Sequence, residues 1–162
     1  MDMKHTRIIL CGHAASGKDH ARKIFERQGF TYAVSYTTRP PRPGEVDGVD
    51  YQFITDELAQ QMIANDEFYE WVPFNGWIYG TSNEQFNTLN LFIMTPGGIK
   101  HIKPEDRPTS LIIYFDIPED VRRERLNKRV MPGDSIERRL LADAEDFKDF
   151  KDFDITINNP LF

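Results

Sequence analysis

Gly12-His13-Ala14-Ala15-Ser16-Gly17-Lys18 carries the spacing G-x-x-x-x-G-K, directly after the apolar run Ile8–Cys11 and ahead of a helical pattern. In that setting the glycines let backbone N–H groups turn inward around phosphate oxygens. The helix N-terminus adds partial positive charge, and Lys18 reaches the terminal phosphates. A glycine-rich turn with a surface lysine is the bland alternative, and the strand–loop–helix setting argues against it. Where such loops usually place a Ser or Thr hydroxyl on Mg²⁺, this chain has Asp19. A carboxylate is a hard oxygen ligand, so Asp19 is expected to bind the metal directly or through water. An acid at a helix N-terminus is also favoured by the dipole alone.

The next chemistry-bearing stretch is Ser35-Tyr36-Thr37-Thr38-Arg39-Pro40-Pro41-Arg42-Pro43-Gly44-Glu45-Val46-Asp47-Gly48-Val49-Asp50-Tyr51. Phe68-Tyr69-Glu70-Trp71 and Trp77-Ile78-Tyr79-Gly80-Thr81-Ser82 follow in order. The three together closely resemble the acceptor-binding signature of guanylate kinases, and the resemblance runs from the phosphate loop to Asn158-Asn159. It implies a P-loop nucleoside monophosphate kinase that moves a phosphoryl group from ATP to GMP or dGMP with Mg²⁺. Arg39 and Arg42 suit a dianionic phosphate because a guanidinium grips two oxygens at once. By resemblance Tyr51 and Tyr79 add hydroxyls to that phosphate and Glu45 helps hold the site. Glu70 takes guanine's N1–H and N2–H₂ donors, while Ser35 and Thr81 offer hydroxyls to O6. On the donor side the resemblance implies contacts from Gly12, Ala14, Ala15, Ser16, Gly17, Lys18 and Asp19, with Arg125 stacking on adenine and Asn158 beside it.

Two departures from the family pattern stand out. Guanylate kinases usually carry acids at a strand end before a glycine turn, and one of them helps recognise guanine. Here the segment reads Leu91-Phe92-Ile93-Met94-Thr95-Pro96-Gly97-Gly98, with Ile93 and Thr95 in place of the acids. A hydrogen bond to a charged group is worth roughly 1.5–3 kcal/mol, so weaker guanine selectivity is expected. The second departure is a short arginine lid, about residues 123–138. Resemblance makes Lys18, Arg129 and Arg139 the catalytic set, the arginines neutralising charge on the transferring group. Arg122, Arg123 and Arg138 read as a solvated, charge-paired helix surface. Asp143–Phe150 reads as an acidic solvated face with Phe147 and Phe150 inward.

Positioning these groups requires an α/β fold: a three-layer P-loop NTPase core with a mainly parallel sheet, a small mostly-β insertion and a short helical lid. Strands are expected at Arg7–Cys11, Leu91–Met94, Ser110–Asp116 and Asp154–Asn158. Helices are expected over about 18–28, 97–103, 118–129 and 135–150, with a break at Met131-Pro132-Gly133-Asp134. Residues 35–82 form the insertion, with one helix opening at Thr55, and residues 1–34 and 83–162 form the core. At 162 residues the chain suits one domain with inserted parts, and a net charge of −6 argues against non-specific nucleic-acid binding. The apolar runs are too short to span a bilayer, and the N-terminus has no signal-like apolar region. Cys11 is the only cysteine, so no internal disulfide exists and a reducing cytoplasm is expected, with the protein a monomer or homodimer.

Three competing readings share these motifs. An aspartate after the loop lysine also occurs in phage-type deoxynucleotide kinases and in the ribose 1,5-bisphosphate kinase that resembles guanylate kinases. A guanylate-kinase-like protein-binding module is the non-enzymatic rival. Such modules tend to lose the loop lysine and lid arginines that Lys18, Arg129 and Arg139 retain.

Overall fold

The computed structural model describes residues 7–129 and 135–162. The chain opens with β1 (Arg7–Gly12), α1 (Lys18–Arg27), β2 (Tyr36–Thr37), β3 (Gln52–Phe53) and α2 (Asp56–Ala64). β4 (Phe68–Phe74), β5 (Trp77–Ser82), α3 (Asn83–Thr88), β6 (Leu91–Ile93) and α4 (Pro96–Ile99) follow. After a 3₁₀ turn at Arg107–Thr109 come β7 (Ser110–Phe115), α5 (Glu119–Asn127), α6 (Ile136–Phe147) and β8 (Ile155–Ile157).

The core sheet runs β6-β1-β7-β8, all parallel, so β1 is hydrogen-bonded along both edges. Strand side chains alternate between faces, and β1 shows the consequence. Ile8 and Leu10 pack with Ala21, Phe25 and Phe115 on the α1 side. Ile9 and Cys11 pack with Phe86, Phe92, Ile99 and Phe147 on the side of α3, α4 and α6. Three layers result, and β1 delivers the chain to the phosphate loop from the middle one. Burial pushes the Cys11 thiol up to about 12. The far edge is pinned by Asp154, whose Oδ2 accepts from the Ile112 N–H at 2.8 Å and from Arg107 Nη1 at 3.1 Å.

A second sheet, ordered β3-β2-β5-β4, forms from the insertion. β2 and β3 are parallel and the other pairs antiparallel. Asn75 and Gly76 join β4 to β5, both with positive φ (54° and 88°). A two-residue hairpin loop of type I′ demands that, and Asn-Gly supplies it at low steric cost.

The expected strands are found within a residue or two, and three helical readings need correction. The expected 97–103 helix is the single turn α4, because Gly97-Gly98 are poor helix formers and Pro104 disfavours helical backbone before it. The helix expected to run to about 150 ends at Phe147, where the chain folds back so that Phe150 and Phe153 pack on Tyr114. Helix α3 was not expected. Ser82 and Gln85 form a full capping box there, a signal present in the sequence at Ser82-Asn83-Glu84-Gln85. The expected break at residues 131–134 lies outside the described residues. Among those described, no helix is long and apolar enough to cross a membrane.

Phe86 is fully buried, stacks on Tyr69 at 3.6 Å between centroids, and lies 4.1 Å beneath the Arg7 guanidinium. Phe86→Ala is expected to destabilise the fold by about 3–5 kcal/mol in urea unfolding. A loss below about 1 kcal/mol would show that α3 is peripheral to the core.

Candidate active site

A cleft of about 530 Å³ is lined by the β1–α1 loop, the second sheet and α6. Gly12, Ala14, Lys18 and Asp19 line it on the loop side, and Ala15, Ser16 and Gly17 complete the loop. Ala15 is left-handed at φ 60°, a strained conformation for a residue with a Cβ and one concentrated at functional loops. Ser16 is fully buried and its hydroxyl has no hydrogen-bond partner among the described residues. Lys18 Nζ donates to the Gly12 carbonyl, and burial lowers its pKa. Asp19 pairs with Arg22 at 2.8 Å and Lys23 at 3.8 Å, with its carboxylate largely exposed on the cleft.

On the side of the second sheet Arg39 is almost fully buried, and its guanidinium forks onto Glu45 with bonds of 2.8 and 2.9 Å. Glu45 also accepts from the Arg42 N–H at 2.6 Å. Burial opposes ionisation of Glu45, but Arg39 and the Arg42 amide hold its carboxyl below the usual range. The Arg39 guanidinium lies 5.2 Å from the Tyr51 ring, which meets Tyr79 edge-on at 5.9 Å. Burial pushes the Tyr51 hydroxyl up to about 12, so it stays a donor. Arg42 and Ser35 line the same cleft. Ser35, Arg39, Arg42, Glu45, Tyr51 and Tyr79 thus line one cleft, around an arginine already oriented by its own counter-ion.

Glu70 is 6% exposed yet faces this cleft, and Thr81 Oγ1 donates to its Oε1 at 2.8 Å. Thr81 is almost fully buried opposite Glu70 in the β4–β5 pair, which brings its hydroxyl onto the carboxylate. Burial pushes Glu70 up to about 7, and the Thr81 bonds pull the other way. Gly98 closes the far side: a Cβ there would stand 2.6 Å from Glu70 Oε2, so any larger residue would push the carboxylate aside. Thr95, on the cleft wall, caps α4 by accepting from the Gly98 N–H at 3.1 Å.

Of the arginines between residues 122 and 139, Arg129, Arg138 and Arg139 line the cleft. Arg123 pairs with Glu119 and Glu137, as a solvated helix surface should. Arg122 corrects the expectation: it is 7% exposed, with Nε donating to the Ile117 carbonyl at 2.9 Å. Arg125 donates to the carbonyls of Ala15 at 3.0 Å and Pro160 at 2.8 Å, and so braces the loop from outside the cleft. Asn158 is exposed and away from the cleft lining.

Asp143 also overturns its expectation as a solvated acid. It is 8% exposed, lines the cleft, and its Oδ2 accepts from the Ala14 N–H at 2.7 Å. The available signal was its placement one turn along the helix from Arg139, which puts both on one face.

Glu70's folded pKa near 7 lies above its ordinary 4.5, so the fold favours the protonated acid. Its contribution to stability is full below about pH 4.5 and is lost as pH rises through 7. A carboxyl-carbon NMR titration should find Glu70 near 7, and Thr81→Val should move it higher. Glu70→Gln should flatten the fall in stability between pH 4.5 and 7.

Comparison with known proteins gives a consistent picture. The family model described as guanylate kinase matches residues 4–162. A guanylate kinase of Sus scrofa is 33% identical over 165 residues, covering 94% of this chain and 83% of the relative. One of Homo sapiens is 34% identical over 169 residues, covering 94% and 84%. The crystal structure of guanylate kinase from Anaplasma phagocytophilum superposes with a TM-score of 0.74 at 22% identity, covering 98% of this chain and 79% of that one. At that identity the structural likeness speaks for the fold, and the sequence matches speak for descent. The chain belongs to the guanylate kinase family.

Proposed function

We propose that the cleft transfers the terminal phosphoryl group of ATP to the phosphate of GMP or dGMP, giving ADP and GDP or dGDP. The observation that carries this reading is Glu70: a buried carboxylate, fixed by Thr81, in one cleft with the phosphate loop and the Arg39–Glu45 pair. A carboxylate with two acceptor oxygens matches guanine's adjacent donors, which adenine lacks. Residues 35–82 are assigned the acceptor, and residues 1–34 with 83–162 the donor.

An oxygen of the acceptor phosphate attacks the γ-phosphorus as the bond to the β–γ bridging oxygen breaks. That nucleophile is already anionic, so no general base is required. Arg39, Arg42, Tyr51 and Tyr79 hold the acceptor phosphate, with Glu45 aiming Arg39. Lys18, Arg129 and Arg139 neutralise charge that spreads over the transferring group. Adenine is assigned to the side of the loop bounded by Arg125 and Asn158. Asp19 fits Mg²⁺, being a hard oxygen on the cleft beside Lys18 whose exposed ion pairs are weak competitors. Held there, the ion would supply charge neutralisation for the transferring phosphates.

The relatives do not favour a second reading, a broader deoxynucleoside monophosphate kinase, whose one support is that Ile93 and Thr95 on the cleft wall carry no acid. A coupled ADP-release assay with ATP, Mg²⁺ and single acceptors separates them. Turnover chiefly with GMP or dGMP, below about ten-thousandfold over AMP, is expected. Thr95→Asp, which keeps an N-cap, should raise that ratio by roughly ten- to a hundredfold. Half-saturation by GMP should worsen as pH falls below 7 and Glu70 protonates. Comparable turnover of pyrimidine deoxynucleotides would favour the broader reading, and silence with every acceptor would overturn both.

The metal assignment has its own check. Asp19→Asn should raise the Mg²⁺ concentration needed for half-maximal turnover, and an unchanged Mg²⁺ dependence would remove Asp19 as a ligand.

A further inference from the structure

Helix α6 presents Arg139, Asp143 and Phe147 at four-residue spacing, and all three line the cleft. Phe147 stacks on the His13 ring, with centroids 4.1 Å apart and planes 22° apart. One turn earlier, the Asp143 carboxylate accepts the Ala14 N–H at 2.7 Å. Consecutive residues of the phosphate loop are therefore held by consecutive turns of one helix.

The Asp143 contact is unlike ordinary packing. A phosphate loop exists to offer backbone N–H groups to an anion. Here one of those groups is taken by an anion from the chain itself. Lys18, Arg122 and Arg139 are its electrostatic neighbours, with Asp146 adding negative charge toward Lys18. Burial raises the Asp143 pKa, while the Ala14 amide and these cations act in the opposite direction. Lys18 meanwhile turns its ammonium back onto the Gly12 carbonyl. The chain thus supplies the loop with an acceptor for an amide and with negative charge for its lysine.

We propose that Asp143 is a donor-affinity-determining residue: its carboxylate stands in for a phosphate oxygen on the Ala14 amide, and bound donor phosphates displace it. The inference rests on the phosphate loop being the ATP site, as proposed above. It ties donor binding to α6, because the displaced carboxylate belongs to the helix that carries Arg139.

The experiment is calorimetric titration of ATP, and separately of inorganic tripolyphosphate, into the protein without acceptor. Parent, Asp143→Asn and Asp143→Ala are compared. Removing the competing anion should tighten both ligands, on the order of tenfold for Asp143→Ala and less for Asp143→Asn, which keeps a neutral acceptor. Affinity for GMP should not change. A residue that only holds the fold together would weaken donor binding when lost, so a gain separates the two roles. Donor affinity unchanged or weaker in folded variants overturns the proposal. Should Asp143→Ala fail to fold, Asp143→Asn carries the comparison. A crystal structure of the parent with ATP bound provides an independent check. Asp143 displaced from Ala14 supports the proposal, and Asp143 still bonded to Ala14 beside the phosphates overturns it. A parent that binds GMP but neither ATP nor tripolyphosphate removes the donor assignment itself, and this proposal with it.

Discussion

Strand β1 is gripped along both edges, by β6 and by β7, and the cleft depends on that grip. A strand paired on two sides and packed on two faces has no freedom to tilt. The residues that follow it leave the sheet at a fixed point and direction. Gly12, still paired with Phe115, is the last such point. Beyond it the backbone turns tightly through Ala15 before α1 begins at Lys18. The loop's amides are thus aimed by the core sheet, with Arg125 bracing the outside and α6 the inside.

The cleft's charges come with partners from the chain itself. Arg39 is forked onto Glu45, Lys18 lies near Asp143 and Asp146, and Glu70 is steadied by the Thr81 hydroxyl. Leaving such groups buried and unpaired would cost several kcal/mol each. Internal partners satisfy these groups within the fold and fix their orientations. They also set which ligand charge is welcome, because an incoming phosphate must outcompete a carboxylate.

Much of this was legible in the sequence because it lay in local spacing. The phosphate loop, the Arg39–Tyr51 signature, Glu70 and the parallel α/β order all come from contiguous patterns, and the cleft gathers those residues. What was not legible depended on contacts between distant segments. Asp143 looked like one acid among several on a helix, since nothing local says that Ala14, 129 residues away, presents an amide to it. Arg122 looked solvated because its partner carbonyl depends on how the turn before α5 sits against the helix. The hydrogen bond from Thr81 to Glu70 was not read either, since it depends on the register that sets β5 opposite β4. Helix α4 was overextended because its pattern was followed past two glycines toward a proline.

Cys11 lies beneath the phosphate loop with no solvent exposure, and burial holds its thiol up near 12. At neutral pH it is scarcely a thiolate, and reagents that attack thiolates have no route to it. A cysteine introduced on the surface of α6 would therefore be the sole labelling point, without first editing the native chain. A fluorophore placed there would follow the helix in real time as nucleotides arrive and leave.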